Sequence, residues 1–280
     1  MNKRIATQKL MGAYMSLLKE EERSKATLEK YERDIVKFIT YTNGRAMTKE
    51  LVMEYKEHIR AGYEPTSVNS MLAAINGFFS FLGWSDCKVK RLKIQRKVFC
   101  NESRELNKAE YERLLQASKD AGHERLSLIL QTICGTGIRV SELPFITAEA
   151  VKNGQAVVEC KGKVRLVFIP GKLQKLLTAY IRKQGFHTGP VFVTRNGKPI
   201  NRSNIWKDIK ALCESAGVSP DKVFPHNLRH LYAKCFYSID KDIAKLADIL
   251  GHSNVETTRG YIISSGKEHR RLVERLGLVL

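Results

Sequence analysis

The sequence has no stretch of apolar residues long enough to cross a membrane. A spanning helix needs about 20 predominantly apolar residues, and no segment approaches that length. Residues 1–9 include Lys3 and Arg4 but lack the apolar core of a secretion signal. These absences predict a cytoplasmic protein with no membrane partner.

Cysteine is scattered singly along the chain. The six cysteines form no C-x-x-C pair, and none has a histidine at the spacing of a metal site. They are Cys87, Cys100, Cys134, Cys160, Cys213 and Cys235. We interpret them as reduced thiols, which argues against a disulfide-stabilised secreted domain and against a structural zinc site.

The motifs of nucleotide-dependent and metal-dependent enzymes are also missing. Neither a G-x-x-x-x-G-K-[ST] phosphate loop nor a G-x-G-x-x-G turn occurs in the sequence. No group of carboxylates has the spacing of a two-metal nuclease site. We therefore expect no cofactor, neither a metal ion nor a nucleotide.

Positive charge is what the sequence has in excess. Its 48 lysines and arginines outnumber 29 acidic residues, for a formal charge of +19. Residues 1–100 hold 19 basic and 11 acidic side chains, and residues 101–280 hold 29 and 18. Because the charge is spread over both parts, it favours a shared polyanionic partner, with nucleic acid as the leading candidate. The alternative from composition alone is an ordinary soluble basic protein.

The chain length of 280 residues suits two domains. Helical spacing of apolar residues predicts a four-helix first domain over residues 1–87, with Ser24 or Thr27, and Thr48, at helix starts. Residues 88–103 follow as a predicted linker, whose first ten residues carry six cations and no capping residue. We interpret this segment as an extended basic linker that runs along DNA phosphate, with a basic edge strand or a solvated loop as the alternative.

The second domain, residues 104–280, is predicted to be helical apart from one β-hairpin. Asn107 and Glu110 have the spacing of a capping pair at its first helix. Two β-rich runs flank Lys161-Gly162-Lys163, where the glycine permits the positive φ of a tight turn. Later helix stops are predicted at Gly217, Gly251 and Gly260. The expected fold class is mainly α with a small β-sheet.

Four short patterns occur in a fixed order in the second domain. They are Gly135-Thr136-Gly137-Ile138-Arg139-Val140-Ser141-Glu142-Leu143, then Lys161-Gly162, then Pro225-His226-Asn227-Leu228-Arg229-His230, then Leu250-Gly251-His252 with Tyr261 nine residues later. Together they resemble the tyrosine recombinase family, which includes phage integrases and Xer-type chromosome-dimer resolvases. The resemblance implies a mixed α/β catalytic domain over residues 104–280 and an N-terminal four-helix core-binding (SAM-like) domain that binds DNA.

The residue types in these patterns suit transfer of a phosphodiester to a protein oxygen. Such a transfer builds negative charge on the non-bridging oxygens, and the permanently protonated guanidinium groups of Arg139 and Arg229 can meet that charge. A tyrosine nucleophile conserves the phosphate ester for later rejoining, and Tyr261 is the candidate. The alternatives are surface or structural arginines and an amphipathic core tyrosine.

Three histidines lie within or beside the patterns. Each imidazole can exchange a proton near neutral pH. By resemblance, His226 corresponds to the family's acid/base residue and His252 to the residue that hydrogen-bonds the scissile phosphate. His230 has the right residue type but the wrong place in the motif, so we expect it to be structural.

A lysine and a glutamate complete the expected site. Lys161 resembles the family's hairpin lysine, which would protonate the departing DNA 5′ oxygen. The turn is shorter here than in the usual family form, so Lys163 is the alternative. Glu142 resembles the family's acidic support residue, which we expect to orient a cationic or histidine side chain without reacting.

The resemblance implies site-specific recombination on double-stranded DNA with paired half-sites. Tyr261 would form a 3′-phosphotyrosine, and strand exchange would proceed through a Holliday junction. A type IB topoisomerase-like enzyme and a catalytically silent DNA-binding paralogue are the alternatives. The tail from Gly266 to Leu280 carries an apolar stripe at Leu272, Val273, Leu276 and Leu278, which predicts exchange of the tail between protomers of a DNA-bound tetramer. Folding of the tail onto its own domain is the alternative.

Overall fold

The chain divides into two compact units, Met1–Arg96 and Lys97–Leu280, and their boundary falls inside the predicted linker. The computed structural model describes residues 4–94, 104–160, 162–194, 196–262 and 274–275. The predicted general acid Lys161 lies outside the described residues, and so does the apolar stripe of the predicted exchange tail.

The first unit is a bundle of four helices, as its apolar spacing predicted. They are α1 (Gln8–Glu20), α2 (Lys25–Thr42), α3 (Lys49–Gly62) and α4 (Pro65–Phe81). The side chain of Ser24 accepts a hydrogen bond from the Thr27 amide at 3.3 Å, and Thr48 accepts from the Leu51 amide at 3.2 Å, so both helices begin at a capping oxygen. The interior between the helices is aromatic and aliphatic, and its fully buried members include Phe38, Phe78, Phe79, Ile35, Leu72 and Ile75.

The described start of the predicted linker packs against α4. The Asn69 amide donates to the Leu92 carbonyl at 2.9 Å and its oxygen accepts from the Leu92 amide at 2.7 Å. Asn76, two helical turns later, pairs in the same way with Val89 at 2.9 and 3.2 Å. These pairs hold the segment in an extended form, because an asparagine side chain can satisfy both backbone groups of one residue.

The second unit is helical with one two-stranded sheet. Its elements are α5 (Lys108–Asp120), α6 (Glu124–Thr136), a 3-10 segment (Val140–Phe145), α7 (Ala148–Asn153), β1 (Gln155–Cys160), β2 (Lys163–Phe168), α8 (Gly171–Gln184), α9 (Arg202–Ala211), α10 (Pro225–Ile239), α11 (Ile243–Leu250) and α12 (Val255–Ile262). The predicted capping pair forms at the start of α5, where Asn107 and Glu110 bond each other's backbone amides at 2.8 and 2.9 Å. None of the described helices is long and apolar enough to cross a membrane.

The predicted β-hairpin is present, with β1 and β2 antiparallel. Gln155 pairs with Phe168 at one end and Cys160 with Lys163 at the other, and Gly162 takes a φ of 71° in the turn. Ala156, Val158 and Val167 face the core, which leaves alternate residues such as Leu166 on the exposed side. The hairpin therefore presents one apolar face to the interior, as a half-buried sheet requires.

One of the three glycines expected to stop helices does so, because Gly251 caps α11 with a φ of 65°. Gly217 takes a φ of 59° in the turn that follows α9, but the helix itself ends at Ala211 with Leu212 as its cap, so that expectation is wrong. The third expectation is wrong, because Gly260 lies inside α12. The helix continues through it because Thr258 and Tyr261 on either side are buried, and that packing outweighs the cost of about 1 kcal/mol for a glycine within a helix.

Candidate active site

The turn after α6 brings Arg139 to the surface of the second unit. Gly137 ends the helix with a φ of 64°, and a Cβ at this position would lie 2.5 Å from a ring carbon of Tyr232. Ile138 is then fully buried, which leaves Arg139 pointing outward at the start of the 3-10 segment. The side chain of Arg139 is 36% exposed, so it is accessible to an incoming ligand.

Glu142 holds Arg139 in place. One carboxylate oxygen accepts from the Arg139 guanidinium at 2.7 Å, and the other accepts from the Arg139 amide at 2.9 Å and from Arg165 at 2.7 Å. Burial alone would raise the pKa of Glu142, but the hydrogen bonds from Arg139 and the charges of Arg165 and Arg139 outweigh it and lower the pKa. Glu142 is thus an ionised acceptor between two arginines.

Arg229 lies on α10 and is nearly inaccessible, with 2% of its surface exposed. Its guanidinium donates to the carbonyls of Gly137 at 2.5 Å and Leu250 at 2.6 Å, and also contacts His252 Nε2 at 3.0 Å. Burial, followed by the charge of Arg139, lowers its pKa to about 10, so it stays protonated at neutral pH. Its Nε is buried with no hydrogen-bond partner.

His252 follows directly after the Gly251 cap of α11. Because a guanidinium only donates, Nε2 of His252 must accept from Arg229, and Nδ1 carries the proton that faces Thr258 Oγ1 at 2.8 Å. Burial, followed by the charges of Arg229, Arg139 and Arg165, lowers the pKa of His252 to about 4. His252 is therefore neutral at physiological pH in the DNA-free protein.

Three imidazole rings surround the phenol of Tyr261, which is 6% exposed. The rings of His226 and His252 meet it edge-on at centroid distances of 5.1 Å, and the ring of His230 lies at 4.0 Å with a tilt of 38°. His226 and His230 come from successive turns of α10, so one helix supplies two sides of this enclosure. His230 thus contacts the candidate nucleophile by packing, and its structural role stays a prediction.

The Tyr261 hydroxyl points at His226. Its oxygen lies 3.2 Å from His226 Nε2, within reach of a hydrogen bond. Burial, followed by the charges of Arg229, Arg202 and Arg139, lowers the pKa of His226. A neutral imidazole can accept the phenol proton, so this pair has the geometry of a nucleophile and its general base.

A cleft of about 530 Å³ opens beside these residues. Arg139, Arg165 and His252 line it together with Glu142 and Asp248. The lining offers the guanidinium groups of Arg139 and Arg165 to an anion, and Val158 and Val164 of the hairpin add apolar surface. Over the described ranges, no group of three or more histidine, cysteine or acidic residues is arranged to hold a metal ion.

The structure thus brings together six of the seven predicted site residues. They are Arg139, Glu142, His226, Arg229, His252 and Tyr261. Lys161, the seventh, lies outside the described residues, between the ends of β1 and β2.

Two residues that contact the site did not emerge from the sequence. Thr258 bonds His252, and its place one helical turn before Tyr261 was the available signal. Arg165 bonds Glu142, and its signal was the period-two pattern of β2, which puts it on the same face as the buried Val167. A charged residue on the core face of a strand needs a buried partner.

Comparisons with known proteins identify both units. Residues 104–268 match the phage integrase family, and residues 13–86 match the N-terminal SAM-like domain of phage integrases. The tyrosine recombinase XerA of Pyrococcus furiosus is 27% identical over 288 residues, which span 100% of this chain and 98% of that protein.

Solved structures share the fold. A XerH site-specific recombinase bound to palindromic difH substrate, in a post-cleavage complex, superposes with a TM-score of 0.73 at 17% identity and covers 98% of this chain and 90% of its own. A lambda integrase tetramer bound to a Holliday junction gives a TM-score of 0.74 at 15% identity, covering 93% of this chain and 78% of the integrase chain. At these identities the likeness concerns the fold.

Proposed function

This chain belongs to the phage integrase family and is a site-specific DNA recombinase, and we propose that Tyr261 is the nucleophile of its strand transfer. The observation that carries the proposal is the enclosure of Tyr261 by His226, with Arg139 and Arg229 nearby. The Tyr261 oxygen lies 3.2 Å from a neutral histidine nitrogen. The two guanidinium groups can stabilise the negative charge of the scissile phosphate.

The proposed reaction transfers one phosphodiester to the protein and back. The Tyr261 oxygen attacks the scissile phosphorus, its proton passes to His226, and the bond from phosphorus to the DNA 5′ oxygen breaks. Lys161 donates a proton to that departing oxygen. The 3′-phosphotyrosine is then attacked by the 5′-hydroxyl of a partner strand, which regenerates the phenol and yields a Holliday junction.

Arg139 and Arg229 have different parts in this proposal. Arg139 is partly exposed at the cleft and can reach a phosphate oxygen directly. Arg229 is buried and gives three of its five N–H groups to two carbonyls and His252. His252 can turn an N–H toward the phosphate, as the family resemblance implies, once Arg229 releases its Nε2.

The two alternatives have less support. A silent DNA-binding paralogue would have no need for Tyr261, His226 and the buried arginines in one cluster, since these residues are costly to bury. Relaxation of the type IB topoisomerase kind uses the same chemistry without partner exchange. The match of both units to phage integrase domains favours recombination.

A nicked suicide substrate tests the proposal. The wild-type protein should form a covalent adduct that migrates with both DNA and protein on a denaturing gel. Tyr261→Phe should bind the same DNA about as tightly and form no adduct, because it lacks only the nucleophilic oxygen. An adduct in Tyr261→Phe would move the nucleophile elsewhere, with Tyr232 and Tyr237 as the next candidates.

We further propose that the reaction needs neither a metal ion nor a nucleotide. Arg139, Arg229 and His252 supply donors for the phosphate oxygens, and His226 and Lys161 supply the proton transfers, so each step has a side chain to perform it. The adduct should form equally fast in EDTA and without nucleotide. Loss of the adduct in EDTA, with recovery on adding a divalent cation, would contradict this proposal.

For assembly we propose a tetramer on paired half-sites that exchanges the tail Gly266–Leu280 in a closed ring. The sequence supports this by the apolar stripe of the tail. Truncation after Ser265 should leave a protein that binds one half-site but no longer fills two half-sites cooperatively, as measured by mobility shift. If the truncated protein still fills paired half-sites cooperatively, or unfolds outright, the tail acts within its own protomer.

A further inference from the structure

Arg165 is a charged residue on the buried face of the hairpin. In the register of the sheet it pairs with Val158, which is buried, and Val167 beyond it is buried as well. The side chain of Arg165 is only 12% exposed. Burying a guanidinium is costly unless it is fully engaged, so its partners indicate what it does.

Those partners come from both sides of the candidate site. One terminal nitrogen of Arg165 donates to Glu142 at 2.7 Å, and the other donates to the Ile249 carbonyl at 2.7 Å. Glu142 in turn holds Arg139 through its second oxygen. Arg165 therefore connects the hairpin to the group that fixes Arg139 and to the last turn of α11, which ends just before His252.

A close contact at Gly251 strengthens the second connection. A Cβ added to Gly251 would lie 2.4 Å from Cδ of Arg165 and 2.8 Å from its Nε, so the glycine backbone packs directly on the arginine side chain. The Gly251 carbonyl also accepts from Arg139 at 3.4 Å. The glycine before His252 is thus needed for its φ of 65° and for the space that Arg165 fills.

We propose that Arg165 is a positioning residue for strand cleavage, an assignment that rests on the proposed function. It sets the geometry of Arg139 through Glu142 and that of His252 through the Ile249–Gly251 turn. It does so from the strand that follows the Lys161 turn, so one side chain ties the hairpin to both phosphate-binding groups.

Direct phosphate binding by Arg165 fits the geometry less well. Each terminal nitrogen already donates one N–H to a protein acceptor, and its Nε is buried without a partner. A phosphate in the cleft would reach Arg139, whose side chain is three times as exposed, before it reached Arg165. The assignment is therefore to positioning and not to contact with substrate.

The test compares Arg165→Gln and Arg165→Lys with a matched arginine elsewhere in the same unit. Arg113 also spans two backbone carbonyls, those of Ala216 and Gly217, and takes no part in the site, so Arg113→Gln is the control. The assay is single-turnover cleavage of the suicide substrate at saturating protein, with affinity for the uncleaved site and the melting temperature measured in parallel.

We expect Arg165→Gln to slow cleavage by roughly 100-fold while affinity changes by less than about 3-fold, because misplacing a fixed group by an ångström affects the transition state more than binding. Arg165→Lys should lose less, since an ammonium can keep one of the two partners. Arg113→Gln should cleave within about 2-fold of wild type.

A double variant with Glu142→Gln tests whether Arg165 affects the cleavage rate through Glu142. If Arg165 works through Glu142, the loss in the double variant should fall well short of the product of the two single losses. DNA with sulfur as the 5′-bridging atom should not rescue Arg165→Gln, because the defect lies in the placement of Arg139 and His252 at the transition state and not in leaving-group protonation. Rescue by sulfur would mean that Arg165 serves only the hairpin lysine, and would overturn the assignment.

The outcomes separate this inference from the proposed function. If wild type forms no adduct, the proposed function fails. If wild type forms the adduct and both Arg165 variants cleave at wild-type rates, the positioning role fails. If Arg165→Gln does not fold, Arg165→Lys carries the test, and equal losses of rate and affinity in that variant would make Arg165 a phosphate anchor.

Discussion

The two units of this chain bury different kinds of side chain. The interior of the first unit is aromatic and aliphatic, and its buried charge, Asp34, is paired with Lys30 at 2.5 Å. The second unit buries Glu142 and Arg229 together beside the candidate site, and it also buries Glu110, which is paired with Lys222 at 2.7 Å. Burial of charge is costly, and the cluster of buried charges lies where an anionic substrate is expected.

Buried polar atoms without a hydrogen-bond partner also differ between the two units. Within the described residues, four buried side-chain nitrogen or oxygen atoms have no hydrogen-bond partner. Three surround the site, namely Nε of Arg165, Nε of Arg229 and Nδ1 of His230, and the fourth is the hydroxyl of Tyr55 in the first unit. A phosphodiester would add negative charge to this cationic cluster, so the free protein is organised around a charge that the DNA brings.

Among the changes considered, removal of Arg229 should have the largest effect on DNA cleavage. Arg229→Ala is expected to slow cleavage of the suicide substrate by three orders of magnitude or more, on the scale of about 4 kcal/mol of transition-state stabilisation. Arg139→Ala should behave similarly, with a smaller change in DNA affinity in both cases. Equal losses of rate and affinity would make these arginines simple phosphate anchors.

The matched change in the first unit is Asp34→Asn, which removes a buried charge from a pair remote in sequence from the site. It leaves the Lys30 ammonium, whose side chain is 30% exposed, with a neutral amide oxygen and the Ser70 carbonyl as acceptors. We expect a loss of about 2 kcal/mol in the free energy of unfolding, because a charge-assisted hydrogen bond is replaced by a weaker one. Cleavage at saturating protein should stay within about 2-fold of wild type. A large loss of cleavage rate in this variant would show that the buried pair in the first unit also supports the chemistry assigned to the second.

The hairpin turn offers a sharper test within the second unit. Lys161→Ala should slow cleavage of ordinary DNA by roughly 100-fold, because the departing oxygen then lacks its acid. A 5′-bridging sulfur leaves without a proton, so it should restore the rate of this variant. Lys163→Ala is the control and should need no rescue. The reverse pattern would assign the acid to Lys163.

Acid should destabilise the second unit through its neutral histidines. Burial, followed by neighbouring charges, lowers the pKa of His230 to about 4, below its ordinary value of 6.5. The unfolded chain then binds more protons between these values, so stability is lost as pH falls through that window. From pH 7 to pH 5 the loss is about 2 kcal/mol for this residue. His230→Gln should flatten the dependence of unfolding on pH by about that amount, measured by urea denaturation, and an unchanged slope would contradict the shift.

Local features of the sequence predicted the fold well because they act over a few residues. Ser24, Thr48 and Asn107 cap helices through atoms three residues away, and the Gly162 turn is built within the hairpin. The helix stop predicted at Gly260 was wrong because tertiary packing decides there. Its local preference was overridden by burial of the residues around it, which sequence spacing does not reveal.

The site was predictable by residue type more than by arrangement. The motif resemblance named Glu142, but its second partner Arg165 is 23 residues away, and Arg165 reaches Ile249 across 84 residues. Strand alternation could have marked Arg165 as core-facing, whereas its partners depend on how the hairpin packs against α11. Likewise, the protonation state of His252 follows from Arg229, which only the folded chain brings to it.

The smallest expected effect concerns the linker between the two units. Along the start of the predicted linker, Val89 is buried and Leu92 half-buried, while Lys90, Arg91 and Lys93 are exposed. The asparagine pairs on α4 fix this pattern, so the three cations lie on one extended segment with exposed side chains. If that segment follows DNA phosphate, replacing the three cations with glutamine should reduce the slope of log affinity against log salt by about 2 to 3. Cleavage at saturating protein should be unchanged, because none of the three belongs to the candidate site.

The control for this prediction replaces three exposed lysines elsewhere in the first unit, Lys9, Lys19 and Lys49, with glutamine. Both variants change the net charge by the same amount. A general electrostatic attraction would lower the two slopes equally, because it depends on total charge at a distance. A path along the linker would lower the slope for the linker variant alone, because counterions are released only where cations meet phosphates. Equal slopes in the two variants would therefore remove the linker from the DNA interface while leaving the chemistry assigned to the second unit untouched.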